Sequence, residues 1–182
     1  NNLSVRFGRA LNYDCTLADG SSKPQGIVPI SALGVTAAST TAVTRGELLD
    51  LIGSVNSAYR KSPKCGFMFN DNTLTTLKKL SFGTADDRPL WVPSMRDDAP
   101  DRLEGYRYWI NTDMVDAAAA TKPILFGDFG MYKVRIVKGM QIMRLNELYS
   151  GTGEVGFNGY MRFDGELIDA ATATAVKHLI QH

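Results

Sequence analysis

Apolar positions along the chain change period several times, and each change marks an element. Leu3, Phe7, Ala10 and Leu11 fall three and four residues apart, which predicts the closing turns of a helix whose beginning is missing. From Ala18 through Asp19-Gly20-Ser21-Ser22-Lys23-Pro24-Gln25-Gly26 to Ile27, turn formers replace the periodicity. Asp-Gly and Lys-Pro both redirect the backbone, so a structured loop is expected there. Residues 31–43 are small, Ala- and Thr-rich and almost uncharged, compatible with an exposed connection or with a weak strand; a domain boundary is placed near them.

Thr44-Arg45-Gly46-Glu47 is the clearest local signal, because the Thr hydroxyl and the Glu carboxylate can each take a backbone N–H and so start a helix. Leu48, Leu51, Ile52, Val55 and Tyr59 continue it as one apolar face, expected to pack on a sheet, until Ser62-Pro63 stops it. Cys65 to Phe69 reads as a short buried strand, Asn70 as an N-cap, and Leu74, Leu77 and Leu80 as the inward stripe of a second helix. Between residues 82 and 102 polar residues, Gly and Pro break the pattern, and Pro89-Leu90-Trp91-Val92-Pro93 is too Pro-bounded for a central strand, so an exposed excursion is expected. Strands resume at 105–111, 124–126 and 131–137. In the last, Tyr132, Val134 and Ile136 alternate with Lys133 and Arg135, which predicts one buried and one wet face. Residues 139–145 alternate again, and 155–163 and 167–180 read as long extended structure. Helices and strands neither alternate strictly nor belong to one kind, which predicts an α+β fold over a doubly wound sheet.

Composition narrows the function classes. With 182 residues, 44% apolar and 21% charged, the chain fits a folded domain, or one domain and part of a second. Twenty basic residues against nineteen acidic ones leave a net charge of +1, which gives no global attraction to nucleic acid or an anionic membrane and argues against a dedicated DNA-binding domain. Cys15 and Cys65 lack metal-ligand spacing and imply no disulfide framework; they suit a reducing compartment. No run of about 18 apolar residues spans a bilayer. No signal peptide is visible, and the chain opens on Asn1-Asn2 without Met, so a fragment of a longer protein is expected.

The order of these elements, together with several strings, resembles the phage capsid family, whose members share the Hong Kong phage capsid fold. The loop from Ala18 to Ile27 carries the resemblance most specifically, with Ala18 where Gly is frequent. Phe67-Met68-Phe69-Asn70-Asp71 leading to Leu80, Leu103-Glu104-Gly105-Tyr106, and Ile124-Leu125-Phe126-Gly127-Asp128-Phe129 add to it, whereas Arg107 and Tyr108 depart from the family's usual sequence after Gly105. The resemblance covers nearly the whole chain. It implies a phage major capsid fold in which 1–30 are the end of a spine helix and a loop of the peripheral domain. Residues 31–150 would form the axial domain and 151–182 peripheral-domain strands. It implies a C-terminal fragment that lacks the N-terminal arm, the extended loop and most of the spine helix, and that is not expected to build closed shells alone.

Several strings invite a chemical reading. Gly151-Thr152-Gly153-Glu154-Val155-Gly156 fits a dinucleotide-binding glycine pattern, but no βαβ unit can follow it in the residues that remain, so a strand connection is expected. Cys65 with His178 or His182 would serve a small cysteine hydrolase if the fold brought them together, yet Cys65 lies in an apolar strand and reads as a buried hydrophobe. Asp86, Asp87, Asp97, Asp98 and Asp101 lack the spacing of a calcium loop and read as a solvated excursion. Arg60-Lys61 with Lys64, Lys78-Lys79, and Lys133 with Arg135 could face packaged DNA, bridge subunits or simply be solvated. Asn158 lies near the part of the chain that some family members crosslink through a Lys–Asn isopeptide bond, but beside Gly159 it reads as a turn or bulge residue.

No catalytic, cofactor or metal site is therefore expected. The reading is a structural subunit of an icosahedral phage or prophage head, assembling into pentamers and hexamers that enclose double-stranded DNA. Its partners would be copies of itself, with scaffold, head protease and portal proteins and non-specific contact with DNA, in a virion assembled in the bacterial cytoplasm. The alternatives are an encapsulin-type nanocompartment shell and, from another class, the cysteine hydrolase.

Overall fold

The computed structural model describes residues 2–83, 86–89, 102–169 and 175–182. Helix α1, Asn2–Leu17, leads through the loop that follows Ala18 into a one-turn helix α2, Ile27–Ile30, and strand β1, Ala32–Thr36. Helices α3, Arg45–Ser54, and α4, Ser57–Arg60, precede β2, Cys65–Phe69, and α5, Asp71–Lys78. Short strands β3, Ser81–Gly83, and β4, Asp86–Pro89, pair with each other, and β5 is Arg107–Ile110. After β6, Ile124–Asp128, a single 3-10 turn leads into the long β7, Tyr132–Leu145; β8, Gly156–Leu167, and β9, Val176–Ile180, complete the chain.

Five strands form one sheet in the order β1-β9-β6-β2-β5. Its two outer pairs, β1 with β9 and β2 with β5, are parallel, and the two inner pairings are antiparallel. Helices α3 and α5 put Leu48, Leu51, Leu74 and Leu77 onto one face, against Phe67, Phe69, Ile124, Phe126 and Leu179. The opposite face packs Leu125 and Val176 on Ile27, Val28, Met114 and Leu167. β6 is buried along its whole length because both faces are covered, which explains its unbroken apolar run Ile124-Leu125-Phe126.

The capping box at Thr44 is present, with Glu47 N–H donating to the Thr44 hydroxyl and the Glu47 carboxylate accepting from Thr44 N–H. Asn70 caps α5 as its sequence implies. The helix expected from Thr44 to Ser62 is two helices: Gly53-Ser54 closes the first, Val55 is extended, and Asn56 caps the second by accepting from Ala58 N–H. Residues 31–43, left open between connection and strand, contain β1. Of the excursion between 82 and 102, β4 and part of β3 are described, and residues 90–101 lie outside the described residues.

One expectation needs correction. The strands expected at 131–137 and 139–145 are one strand, β7, and it has no buried face: Val134, Ile136, Val137 and Ile142 are all exposed. β7 leaves the sheet to pair with β8, while β9, from the 151–182 stretch, is inserted between β1 and β6. Alternation reports a strand but not its partner, and the pairing of β1 with β9 joins strands more than a hundred residues apart.

Candidate assembly surfaces

The β7–β8 ribbon is a two-stranded antiparallel hairpin whose ladder runs from Tyr132 opposite Leu167 to Leu145 opposite Gly156, with bulges on either side of Lys138. Such a ribbon is marginal in isolation and needs packing on at least one face. Helix α1 supplies part of it: a Cβ added at Gly159 would come 2.9 Å from Phe7 Cε2 and 3.5 Å from Leu3 Cδ2, so a side chain there would have to push the Phe7 ring aside. The 18–27 loop holds the base. Tyr132 Oη donates to the Gln25 carbonyl (2.8 Å), Gln25 N–H to the Gly165 carbonyl (2.9 Å) and Gly26 N–H to the Ala18 carbonyl (2.7 Å). Burial pushes the Tyr132 hydroxyl far above its ordinary range, with smaller contributions from Cys15 and Asp164.

The rest of the ribbon carries apolar side chains into solvent. Ile136 and Met143 are each 53% exposed and Phe157 is 65% exposed; Leu148, beyond the end of β7, is 67% exposed. Apolar residues scattered singly are ordinary, but a row of them along one element marks a surface that something covers. Charged residues flank the row: Lys133 stands opposite Glu166, Arg135 opposite Asp164, and Lys138 opposite Arg162. A groove of about 550 Å³ runs between Lys23 and Gln25 of the loop and Arg162, Asp164 and Glu166 of β8.

The cysteine hydrolase pair is not assembled. Cys65 sits with Phe67 and Phe69 in the core beneath α3 and α5. His178 stands opposite Leu125, whose side chain belongs to the other face of the sheet, and His182 is exposed. Burial, followed by Asp128, pushes the Cys65 thiol up to about 11, the reverse of an activated thiolate. Burial also pushes Cys15 up.

A pair that sequence spacing could not reveal is Ser31 and His178, with Oγ 2.9 Å from Nδ1. It resembles a nucleophile and its base, but the Ser31 hydroxyl donates to the Val28 carbonyl at 2.7 Å. Its single proton is thereby committed, so Nδ1 carries the hydrogen and donates to Oγ. Both residues are buried, and burial followed by the Lys122 charge lowers the His178 pKa to about 4. The pair is a satisfied polar contact at the sheet face. It ties α2 to β9.

The remaining strings fall as follows. The glycine pattern 151–156 runs through the connection between β7 and β8 into the first residue of β8; Gly153 takes φ +71°, and a strand, not a helix, follows it. Asp86 and Asp87 are in β4; Asp97, Asp98 and Asp101 lie outside the described residues. Among the described residues no three metal-ligating side chains converge, and no helix is long and apolar enough to cross a membrane. Lys61 and Lys64 in the turn before β2, Lys78 and Lys79 at the end of α5, and Lys133 and Arg135 in β7 are all exposed. Asn158 is exposed in β8 opposite Met143, a ladder position and not a turn.

Comparison with known proteins adds three findings. The model of the phage capsid family matches residues 1–178. Among solved structures, the capsid of an empty GTA particle superposes with TM-score 0.82 and 28% identity over the whole of this chain and 64% of that chain; the capsid of a native GTA particle gives TM-score 0.82, 27% identity and 63%. A Gordonia phage Cozz chain shares the fold at TM-score 0.69 and 12% identity, over the whole of this chain and 61% of that one. This chain thus spans less than two thirds of the length of the solved chains it matches. No curated protein sequence matches it.

Proposed function

The chain belongs to the phage capsid family, and from that premise we propose that it is part of a shell subunit, a structural protein whose work is to tile a closed head with copies of itself. The observation that carries this reading is the β7–β8 ribbon. It stands outside the five-stranded sheet, is held by α1 and the 18–27 loop, and exposes Ile136, Ile142, Met143 and Phe157 along its length. A domain gains nothing by leaving such a row wet unless neighbouring copies cover it.

Pentamers and hexamers would share these contacts with small differences in curvature, and the shell would enclose double-stranded DNA within a virion. Scaffold, head protease and portal proteins would act on the same subunit in the host cytoplasm. DNA contact would be weak and sequence-independent, consistent with the net charge of +1. The domains would divide as the sheet with its helices, and the ribbon with α1 and the 18–27 loop.

Negative-stain electron microscopy of the complete parent reading frame, expressed with its neighbouring genes, tests the proposal. Closed icosahedral particles containing DNA are expected. Particles filled with protein and free of DNA would replace the genome head by a compartment shell, and persistent monomers would overturn the shell role altogether.

A further inference from the structure

We propose that the cleft between α5 and residues 116–117 is a receptor for a lysine or arginine side chain of a second copy of this chain, an inference that rests on the shell reading. The cleft holds about 180 Å³ and is lined by Thr41, Val43, Asn72, Thr73, Leu77 and Asp116, among others. Its floor is apolar, with Val43 and Leu77 buried.

Two polar groups in it are incompletely used. Thr73 is only 5% exposed, and its Oγ has no hydrogen-bond partner among the described residues. Its neighbours Thr75 and Thr76 donate to the carbonyls of Asp71 and Asn72, four residues back. The equivalent carbonyl for Thr73, that of Phe69, already accepts from Asn111 N–H at 2.9 Å. A buried hydroxyl left in this way costs stability until something binds it. Asp116 Oδ2 accepts from Asn72 Nδ2 at 3.0 Å, while no described residue engages Oδ1.

An apolar floor, a carboxylate oxygen and a buried hydroxyl together fit a long cationic side chain. Its methylenes would lie on Val43 and Leu77, and its head would donate to Asp116 and Thr73. One carboxylate with hydroxyl and amide groups is too poor a donor set for a dedicated divalent-cation site. The chain offers the complement. Lys138 stands directly opposite Arg162 on the ribbon, a like-charge pair that an outside carboxylate would relieve. Within the chain Arg45 pairs with Glu104 at 2.8 Å.

The test compares particles assembled from the complete reading frame with particles of two variants. Asp116→Asn keeps an acceptor for Asn72 and removes the charge; Thr73→Val keeps the shape and removes the hydroxyl. Each variant is expected to release subunits at least tenfold faster in urea, with a melting temperature of the unassembled chain close to wild type. A side-chain-resolution cryo-electron-microscopy map of the wild-type particle should place a neighbour's Lys or Arg head within hydrogen-bond distance of Asp116. Variant particles as durable as wild type, or a cleft filled by a residue of the same subunit, would overturn the inference. Wild-type chains that form no particle would overturn the shell reading, and this inference with it.

Discussion

Gly159 of β8 lies against the ring of Phe7 in α1, so close that an added Cβ would meet Cε2 at 2.9 Å and Cζ at 3.1 Å. The contact fixes how the helix sits on a ribbon that could not stand alone. Gly159→Val overpacks it and is expected to destabilise the chain by about 1–3 kcal/mol, read as a lowered urea midpoint. Gly159→Val combined with Phe7→Ala should lose less than the sum of the two single changes, because truncating the ring makes room for the new side chain.

A polar joint fastens the same helix to the sheet. Asn111, just after β5, donates from Nδ2 to Thr16 Oγ1 at 2.8 Å and accepts at Oδ1 from Asn12 Nδ2 at 2.8 Å and from Asp113 N–H at 3.1 Å. Asn111→Ala removes these bonds between α1 and the end of β5, so a loss of about 1–3 kcal/mol is expected. Amide hydrogen exchange should show the change as faster exchange in α1, with β6 left protected.

Glu47 does more than close the capping box. One carboxylate oxygen accepts from Thr44 N–H and the other from Ala38 N–H, both at 2.7 Å, so it also pins the segment that leaves β1. Thr44→Ala is expected to cost about 1 kcal/mol, the ordinary value of a cap. Glu47→Ala should cost more, because it frees two backbone donors. The order of the two thermal midpoints checks this.

The difference between these sites shows what the sequence could and could not tell. The Thr44–Glu47 box and the Asn70 cap were legible because their partners lie within three residues, and the buried strand Cys65–Phe69 because its apolar run is bounded by a cap. The tie from Glu47 to Ala38, the insertion of β9 between β1 and β6, and the Ser31–His178 contact depend on chain segments brought together from a distance, and no periodicity encodes them. The ribbon misleads for another reason. Tyr132, Val134 and Ile136 alternate as if one face were buried, and a sequence read alone assigns that burial to its own core. The cleft beside α5 left no signal at all, since Thr73 and Asp116 are ordinary residues until the fold sets them at one opening.

His178 supplies a pH dependence whose sign can be worked out. Its pKa in the folded chain is lowered to about 4, by burial first and the Lys122 charge second, whereas the unfolded value is near the ordinary 6.5. Well above pH 6.5 neither state is protonated and the full stability is present. As the pH falls from 6.5 toward 4 the unfolded chain takes up a proton that the folded chain refuses, so stability declines, and below about 4 this group adds no further slope. The loss is on the order of 3 kcal/mol across that window. His178→Gln can still donate toward Ser31 but cannot titrate. It should therefore flatten the fall in urea midpoint between pH 7 and pH 4.5, whatever its effect at pH 7. A variant whose midpoint falls as steeply as wild type would show that another group governs acid stability.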